Sequence, residues 1–203
     1  VNWRDFLILG PRGLTANLFK REDFTAGAAL TFSSGRDEEG STFFGSQGND
    51  DLLGMGDIGA AAGAKVFATY DFPRFTLDTS LTRYLGRDND GYLAELEINR
   101  TFVIEKILRI TPSIELSYAD KDYMQTFFGV SPAQAVSSRF GPYSAGAGIK
   151  DVSLGLNVMQ MLSRNWFIFL SGKAKFLIGD AEDSPISRSN INGRLIISLG
   201  YRF

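Results

Sequence analysis

The sequence predicts an all-β protein, an antiparallel transmembrane β-barrel of about 10–12 strands. Three observations predict this fold class. Apolar and polar side chains alternate along most of the chain, the alternating segments run for about 12–16 residues, and short connections alternate with long ones. Strands of that length cross a bilayer at a tilt, whereas soluble strands average about 5–6 residues.

The last segment, residues 190–203, shows this alternation most clearly. One parity is apolar as far as Tyr201 and Phe203, and the other carries Arg194 among asparagine, serine and glycine side chains. A strand that is apolar on one side and ends in phenylalanine is typical of the closing strand of an outer-membrane barrel. We therefore use this segment to orient the others.

The remaining elements are predicted in chain order. Residues 3–19 keep one apolar phase through Gly10 and Gly13, which predicts a single long strand with a kink at Pro11. Within residues 120–146, Ser131 before Pro132 predicts a short helix near 131–138. Alternation predicts further strands at residues 24–32, 58–70, 75–85, 92–104, 110–118, 152–158 and 166–178.

The connections between these strands predict the orientation of the barrel. Long loops at 35–56, 121–146 and 179–190 and a medium one at 86–91 alternate with short turns at 20–23, 71–74, 105–108 and 162–165. Short periplasmic turns and long external loops are the outer-membrane pattern. About nine strands result, and such barrels usually have an even number with both termini periplasmic. We expect residues 1–203 to form one barrel domain that lacks one or more N-terminal strands.

Charged residues fall on the parity opposite the apolar one, and we expect them to face the lumen. They are Asp57, Lys65, Asp78, Glu95, Glu97, Glu115, Asp151, Lys173, Lys175 and Arg194. One interpretation is a structural network of ion pairs, which a partly dry lumen favours, and the other is a conduction path. A barrel of about ten strands is narrow, because wide aqueous channels belong to about 16–18 strands. A soluble β-sandwich or lipocalin-like barrel is the alternative for an alternating sequence. Its apolar face would point inwards, and small side chains such as Ala60, Ala62 and Ala64 would fill a core poorly.

Composition excludes several classes of function. The chain has neither cysteine nor histidine, so it has no disulfide, no Ser-His-Asp triad and no histidine-ligated metal. The net charge of −2 gives no basic face for nucleic acid. Carboxylates at Asp180, Glu182 and Asp183 lie in a loop, where such groups are usually solvated. We expect no catalytic residues, no cofactor and no metal site.

Four segments of the chain carry a recognisable pattern: FFGVSPAQAVSSRFGPYSAGAGIKDVSLGL at 127–156, LIGDAEDSPI at 177–186, GRDEEG followed by LLGMGDIGA near 35–60, and the terminal LGYRF. In these segments the chain resembles the MipA/OmpV family of Gram-negative outer-membrane proteins. Met55 and Arg139-Phe140 depart from the family pattern. The matching positions are Gly129, Val130, Ser131, Gln134, Ala135, Tyr143, Gly146, Gly148, Lys150, Asp151, Gly179, Asp180, Ser184 and Pro185.

This resemblance implies a cell outer-membrane barrel without catalytic residues, acting as a scaffold for cell-wall enzymes. The expected partners are outer-membrane lipid and lipopolysaccharide, and a periplasmic murein hydrolase or synthase. A narrow pore for small solutes and an adhesin-type surface protein are the alternatives. The matching residues either form a plug or cap over the lumen or only fold the loops. In similar proteins the insertion machinery reads terminal aromatic residues, so Tyr201 and Phe203 are an expected assembly signal.

Overall fold

The alternating segments form a single antiparallel sheet. The computed structural model describes residues 2–3, 6–10, 13–36, 38, 50–87 and 90–202. Its twelve-stranded sheet has the order β1-β2-β3-β4-β5-β6-β7-β9-β10-β11-β12, with β8 paired to β9. The strands are β1 Asn2–Trp3, β2 Leu7–Gly10, β3 Gly13–Lys20, β4 Phe24–Ser33, β5 Ala61–Asp71, β6 Thr76–Leu85, β7 Asp90–Asn99, β8 Phe102–Ile104, β9 Leu108–Ala119, β10 Gly148–Met161, β11 Trp166–Leu177 and β12 Ile191–Tyr201.

The short strand β8 continues the ten-residue strand β7. Asn99 lies opposite Ser113 and Phe102 opposite Ile110, so the register is unbroken across the gap. The ladder is interrupted where Pro112, which has no N–H, faces the strand. The Arg100 N–H still donates to the Pro112 carbonyl at 3.2 Å. The predicted strand over residues 92–104 is therefore confirmed.

The prediction of one kinked strand over residues 3–19 is wrong. β2 and β3 pair antiparallel, with Leu7 opposite Ala16 and Gly10 opposite Gly13. Gly13 has a φ of 118°, and a Cβ there would lie 1.9 Å from the Leu30 carbonyl oxygen. Only glycine fits so tight a reversal. The apolar run before Gly10 fits either parity, so the alternation did not reveal the turn.

The two faces of the sheet differ in polarity as predicted. Leu30 and Val66 are 63% and 56% exposed, and Leu195 and Ile197 are 67% exposed. The opposite face carries the charged residues, which are half-buried or buried except for the exposed Arg194 on β12. The short turns at 21–23, 72–75, 105–107 and 162–165 lie at one end of the sheet, which we call the turn end. The long loops lie at the other, the loop end, on the side of the tight reversal between β2 and β3.

Buried apolar side chains concentrate at the loop end. There the helices α1 Lys121–Phe128 and α2 Pro132–Ser137 and the 3-10 helices Asp50–Leu52 and Gly179–Ala181 lie beside the strand ends. The predicted short helix near 131–138 is confirmed by α2, whereas α1 was not predicted. Leu93, Ala119, Met124, Ala145, Leu177 and Ala181 form the buried cluster between loops and strands.

β12 differs from the other long strands. Among the described strands it pairs with β11 alone, and almost every residue on both of its faces is exposed. No described helix has the length and hydropathy to cross a membrane.

Candidate functional site: a loop cap over the charged inner wall

Helix α1 is the part of the cap that packs on the sheet. Asp120 caps its N-terminus, because the Asp120 carboxylate accepts from the Tyr123 N–H at 2.9 Å. Met124, 1% exposed, packs into the buried cluster. Burial raises the pKa of the Tyr123 hydroxyl well above its usual value, so this phenol stays neutral. The signal that could have predicted α1 is Asp120 followed by apolar residues at 123, 124, 127 and 128.

Helix α2 is joined to the loop between β4 and β5. Ser131 and Gln134 form a capping box, with the Ser131 N–H donating to Gln134 Oε1 at 2.9 Å. The Gln134 amide also donates to the Met55 carbonyl at 2.6 Å. Ser137 Oγ donates to the Gly54 carbonyl at 2.7 Å. Met55, a departure from the family pattern, is 2% exposed and anchors this junction.

The loop between β11 and β12 is fastened to the same cap. Tyr143 forms an isolated β-bridge with Val130, and its hydroxyl donates to the Asp180 carbonyl at 2.9 Å. The Asp180 carboxylate accepts from the Gly146 N–H at 2.6 Å. Ser184 Oγ donates to the Phe128 carbonyl at 2.5 Å. Five of the family-matching residues therefore meet at one junction between the β9–β10 and β11–β12 loops.

Asp51 connects loops that arise from distant strands. Its carboxylate pairs with Arg139 at 2.7 Å and also with Arg188. Asp51 precedes β5 and Arg188 precedes β12, and five strands lie between them in the sheet order β5-β6-β7-β9-β10-β11-β12. Strands are spaced about 4.8 Å apart, so the loops must fold over the end of a curved sheet for this contact to form. Asp51, Arg139 and Arg188 were not among the predicted site residues.

A β-bulge places a buried charge cluster beneath the cap. The register of β10 against β9 shifts between Ile149 and Asp151, so Lys150 is the extra residue. Lys150 and Asp151 are both buried, at 5% and 0% exposure, and they pair with each other. Asp151 also accepts from Ser153 Oγ at 3.2 Å and lies 3.6 Å from Lys175 Nζ. The change of apolar parity from Ile149 to Val152 is the sequence signal of this bulge.

Below this cluster, the charged face of the sheet carries ion pairs between strands that are separated by one intervening strand. Lys65 Nζ lies 3.1 Å from Glu95, and Lys173 Nζ lies 2.7 Å from Glu115. Asp78 accepts from Thr69 at 2.5 Å and from Asn99 at 2.8 Å. Glu97 lies in register between Asp78 and Glu115. Most of the predicted lumen charges are thus brought together as hydrogen-bonded pairs.

Some predicted site residues lie elsewhere. Asp57 lies before β5, exposed in the cap, where its carboxylate accepts from the Glu38 N–H at 2.8 Å, so its placement in the lumen is wrong. Arg194, on β12, lies opposite Lys173 of β11 and is exposed. Tyr201 stacks edge-on against Trp166 at 5.0 Å, while Phe203 lies outside the described residues. The other matching positions have local roles: Gly129 ends α1, Ala135 lies in α2, Gly148 begins β10, Gly179 turns at a φ of 57°, and Pro185 is exposed.

The loops and helices of the cap cover the loop end of the sheet and leave an open polar cleft. This cleft of about 510 Å³ lies between α1, α2 and the β4–β5 loop. Within the described residues, no group of three or more acidic side chains is close enough to hold a metal ion. Hydrogen bonds between loops hold the cap together, and its ion pairs join Asp51 to Arg139 and Arg188.

Comparison with known proteins agrees with this architecture. A search of curated proteins gives no match. The family model described as MltA-interacting protein MipA matches residues 1–203, the whole of the chain. The cap residues and the motifs at 127–156 and 177–186 all lie inside that match. The chain belongs to the MltA-interacting protein (MipA) family.

Proposed function

We propose that this protein is a non-enzymatic β-barrel of the outer membrane that acts as a scaffold for murein enzymes. In this proposal the loop cap closes the external end, and the turn end faces the periplasm. The observation that carries the membrane assignment is the exposed apolar face of the sheet. The family, whose description names MltA, supports the scaffold role.

The number of large apolar side chains exposed on one face of the sheet supports a membrane location. Exposed leucine, isoleucine, valine and phenylalanine side chains occur on β4, β5, β9, β10 and β12, among them Leu30, Phe32, Val66, Ile114, Leu154, Leu156, Leu195, Ile197 and Leu199. Soluble monomers rarely expose contiguous apolar patches larger than a few hundred Å². An outward apolar band combined with a polar inner face is the pattern of a transmembrane barrel. Outer-membrane lipid and lipopolysaccharide are the proposed neighbours of this band.

Aromatic side chains mark the turn-end boundary of this band. Phe19 and Phe24 rings lie 5.8 Å apart, and Tyr70, Phe72 and Phe75 continue the row at 4.5 Å between successive rings. Trp166 and Tyr201 form a second pair at the same end. Aromatic rings concentrate where the hydrocarbon region meets the headgroups. These residues would hold the barrel at that depth.

Two experiments test the proposal. Fractionation of expressing Gram-negative cells should place the protein in the outer membrane and resistant to carbonate extraction; release into the soluble fraction would refute the membrane assignment. Immobilised protein should retain the lytic transglycosylase MltA from a periplasmic extract. Retention no greater than that on an unrelated outer-membrane barrel would refute the scaffold role.

A narrow pore is the second candidate, and the charged inner wall is the observation that favours it. Lys173 and Lys175 have 40% and 38% of their side chains exposed, so water reaches the wall. The cap over the loop end and the mutual pairing of the charges oppose free conduction. Planar-bilayer recordings separate the two candidates, since steady ion-selective openings would favour the pore and silence would favour the scaffold.

A further inference from the structure

Side-chain charge is unevenly distributed around the turn end. On the side formed by β8–β12 lie the exposed cations Arg100, Lys106, Arg109, Arg164 and Arg202, which we call the basic rim. Glu105 is the acidic residue of the turns on that side.

On the side formed by β3–β6, cations and acids balance. Lys20, Arg21 and Arg74 are accompanied by Glu22, Asp23 and Asp71, and all of them are exposed. We call this side the balanced side. The excess of positive charge at the turn end therefore belongs to one half of it.

Backbone hydrogen bonds join the turns of the basic rim into one surface. The Met161 N–H donates to the Ile107 carbonyl at 2.7 Å, which ties the end of β10 to the β8–β9 turn. The Arg202 N–H donates to the Asn165 carbonyl at 2.8 Å, and the Asn165 amide donates back to the Arg202 carbonyl at 2.8 Å. Arg164 and Arg202 are thereby held at the same corner.

The β8–β9 turn is itself a tight one. Glu105 and Lys106 have φ values of 48° and 61°, as in a two-residue hairpin turn of the kind that matches strand twist. The rim is therefore a short and well-ordered surface rather than a set of long loops.

Within the described part of the chain, no acidic side chain neutralises the cations of the rim. Across the described residues, none of the five has an acidic group within 4.0 Å, in contrast to Lys65 and Lys173 on the inner wall. Arg100 lies over the ring of Phe102, with its guanidinium carbon 4.7 Å from the ring centre. Like charges held together on a surface repel one another, and an external anionic partner relieves that repulsion.

The parity of the rim residues indicates what kind of partner they meet. Arg109 shares the inward-facing parity of Thr111, Ser113 and Glu115 on β9, and Arg202 shares that of Ser198 and Gly200 on β12. Arg109 and Arg202 therefore border the mouth of the sheet, whereas Arg100 lies on the outward parity of Ile98 and Phe102. The loop end carries many acids, among them Asp122, Asp180 and Asp183, and would repel an acidic partner.

We propose that the basic rim docks an acidic face of a folded periplasmic protein across the turn-end mouth. This inference rests on the proposed function and supplies the contact that short turns alone do not offer. Recognition through separate exposed cations depends on charge more than on shape. Binding should therefore weaken by about tenfold or more as ionic strength shortens the screening length from about 30 Å to about 8 Å.

The test compares two double charge reversals in the full chain in detergent micelles, with purified MltA as the probe. Lys106→Glu combined with Arg164→Glu alters the rim, and Arg21→Glu combined with Arg74→Glu makes the same charge change on the balanced side. We expect the rim variant to lose about tenfold or more in affinity and the control to lose less than about threefold. The neutral variant Arg164→Gln with Arg202→Gln repeats the test if reversal impairs assembly, which heat-modified gel mobility reports.

The outcomes separate this inference from the proposed function. If the wild type binds MltA and the rim variant binds equally well, the rim inference is wrong and the scaffold role stands. If the wild type does not bind MltA, both are wrong. Vesicles containing phosphatidylglycerol and soluble murein fragments are the two further probes. Rim-dependent binding to either of these without rim-dependent binding to MltA would identify a lipid or murein surface and overturn the protein-docking inference.

Discussion

The carboxylate of Asp51 pairs with the guanidinium of Arg188, although the two residues belong to loops on opposite sides of the sheet order. Asp51 is mostly buried, with 18% of its side chain exposed, and Arg139 shares the same carboxylate at 2.7 Å. One acidic side chain therefore holds three loops of the cap together. This geometry leads to the first prediction.

Asp51→Asn should loosen the cap without unfolding the barrel. Both arginines are more than half exposed, so each pair contributes only about 0–1 kcal/mol. The expected result is faster protease cleavage within residues 179–190 and an unchanged mobility of the folded protein on gels.

Asp183→Asn is the matched control. Asp183 is an exposed acid of the loop at residues 179–190, in which cleavage is measured, and it has no ion pair among the described residues. Equal cleavage of the two variants would show that the Asp51 pairs do not hold the cap.

Asp151→Asn should destabilise the protein strongly. Asp151 is fully buried between Lys150 and Lys175, and its neutralisation leaves two cations without their counter-charge. Removal of one member of a buried ion pair typically costs about 3–5 kcal/mol. Urea unfolding in detergent measures this change. Arg194→Gln, at an exposed position, is the control and should change the free energy of unfolding by less than about 0.5 kcal/mol. Similar losses of stability in the two variants would contradict the stabilising role of the buried charge cluster.

Gly91→Ala should displace helix α1 from the sheet. Gly91 has a φ of 137°, and a Cβ would lie 2.5 Å from the Tyr123 backbone nitrogen. A side chain in that conformation costs about 1–3 kcal/mol before the collision with backbone is counted. Hydrogen exchange of residues 121–128 should become faster.

Gly193→Ala provides the comparison for that experiment. A Cβ at Gly193 meets no heavy atom within 4 Å, so exchange in α1 should be unaffected. Unchanged protection of α1 in the Gly91 variant would mean that this close approach does not position the helix.

Gln134→Ala should release α2 more completely than Ser131→Ala. The Gln134 side chain accepts from the Ser131 N–H and also donates to the Met55 carbonyl, whereas the Ser131 hydroxyl makes only the capping bond. Loss of a cap costs about 1 kcal/mol, and a second hydrogen bond adds about 0.5–1.5 kcal/mol. Hydrogen exchange across residues 132–137 provides the ranking. Gln160→Ala, at the turn end, should leave those residues protected; the reverse order of the two cap variants would contradict the assigned contacts.

Alternation along the sequence predicts most of the architecture of the sheet. Side chains alternate with a period of two, so the apolar face, the charged face and the order of short turns and long loops could be predicted from residues such as Leu30, Val66 and Lys65. Ser131 before Pro132 likewise predicted α2, because a helix start depends on neighbouring residues alone.

The positions of the turns, the bulge and the loops depend on contacts between residues that are distant in sequence. The reversal at Gly13 depends on the close approach of Leu30, and the bulge at Lys150 on the register of β9, and neither partner is near in sequence. Asp51 meets Arg188 only because a curved sheet brings distant loops over one mouth. The basic rim exists only because backbone bonds join separate turns. Contacts between residues far apart in the chain leave no local pattern in the sequence. The sequence therefore predicts the strands of the sheet, and only the fold reveals the cap at the loop end and the basic rim at the turn end.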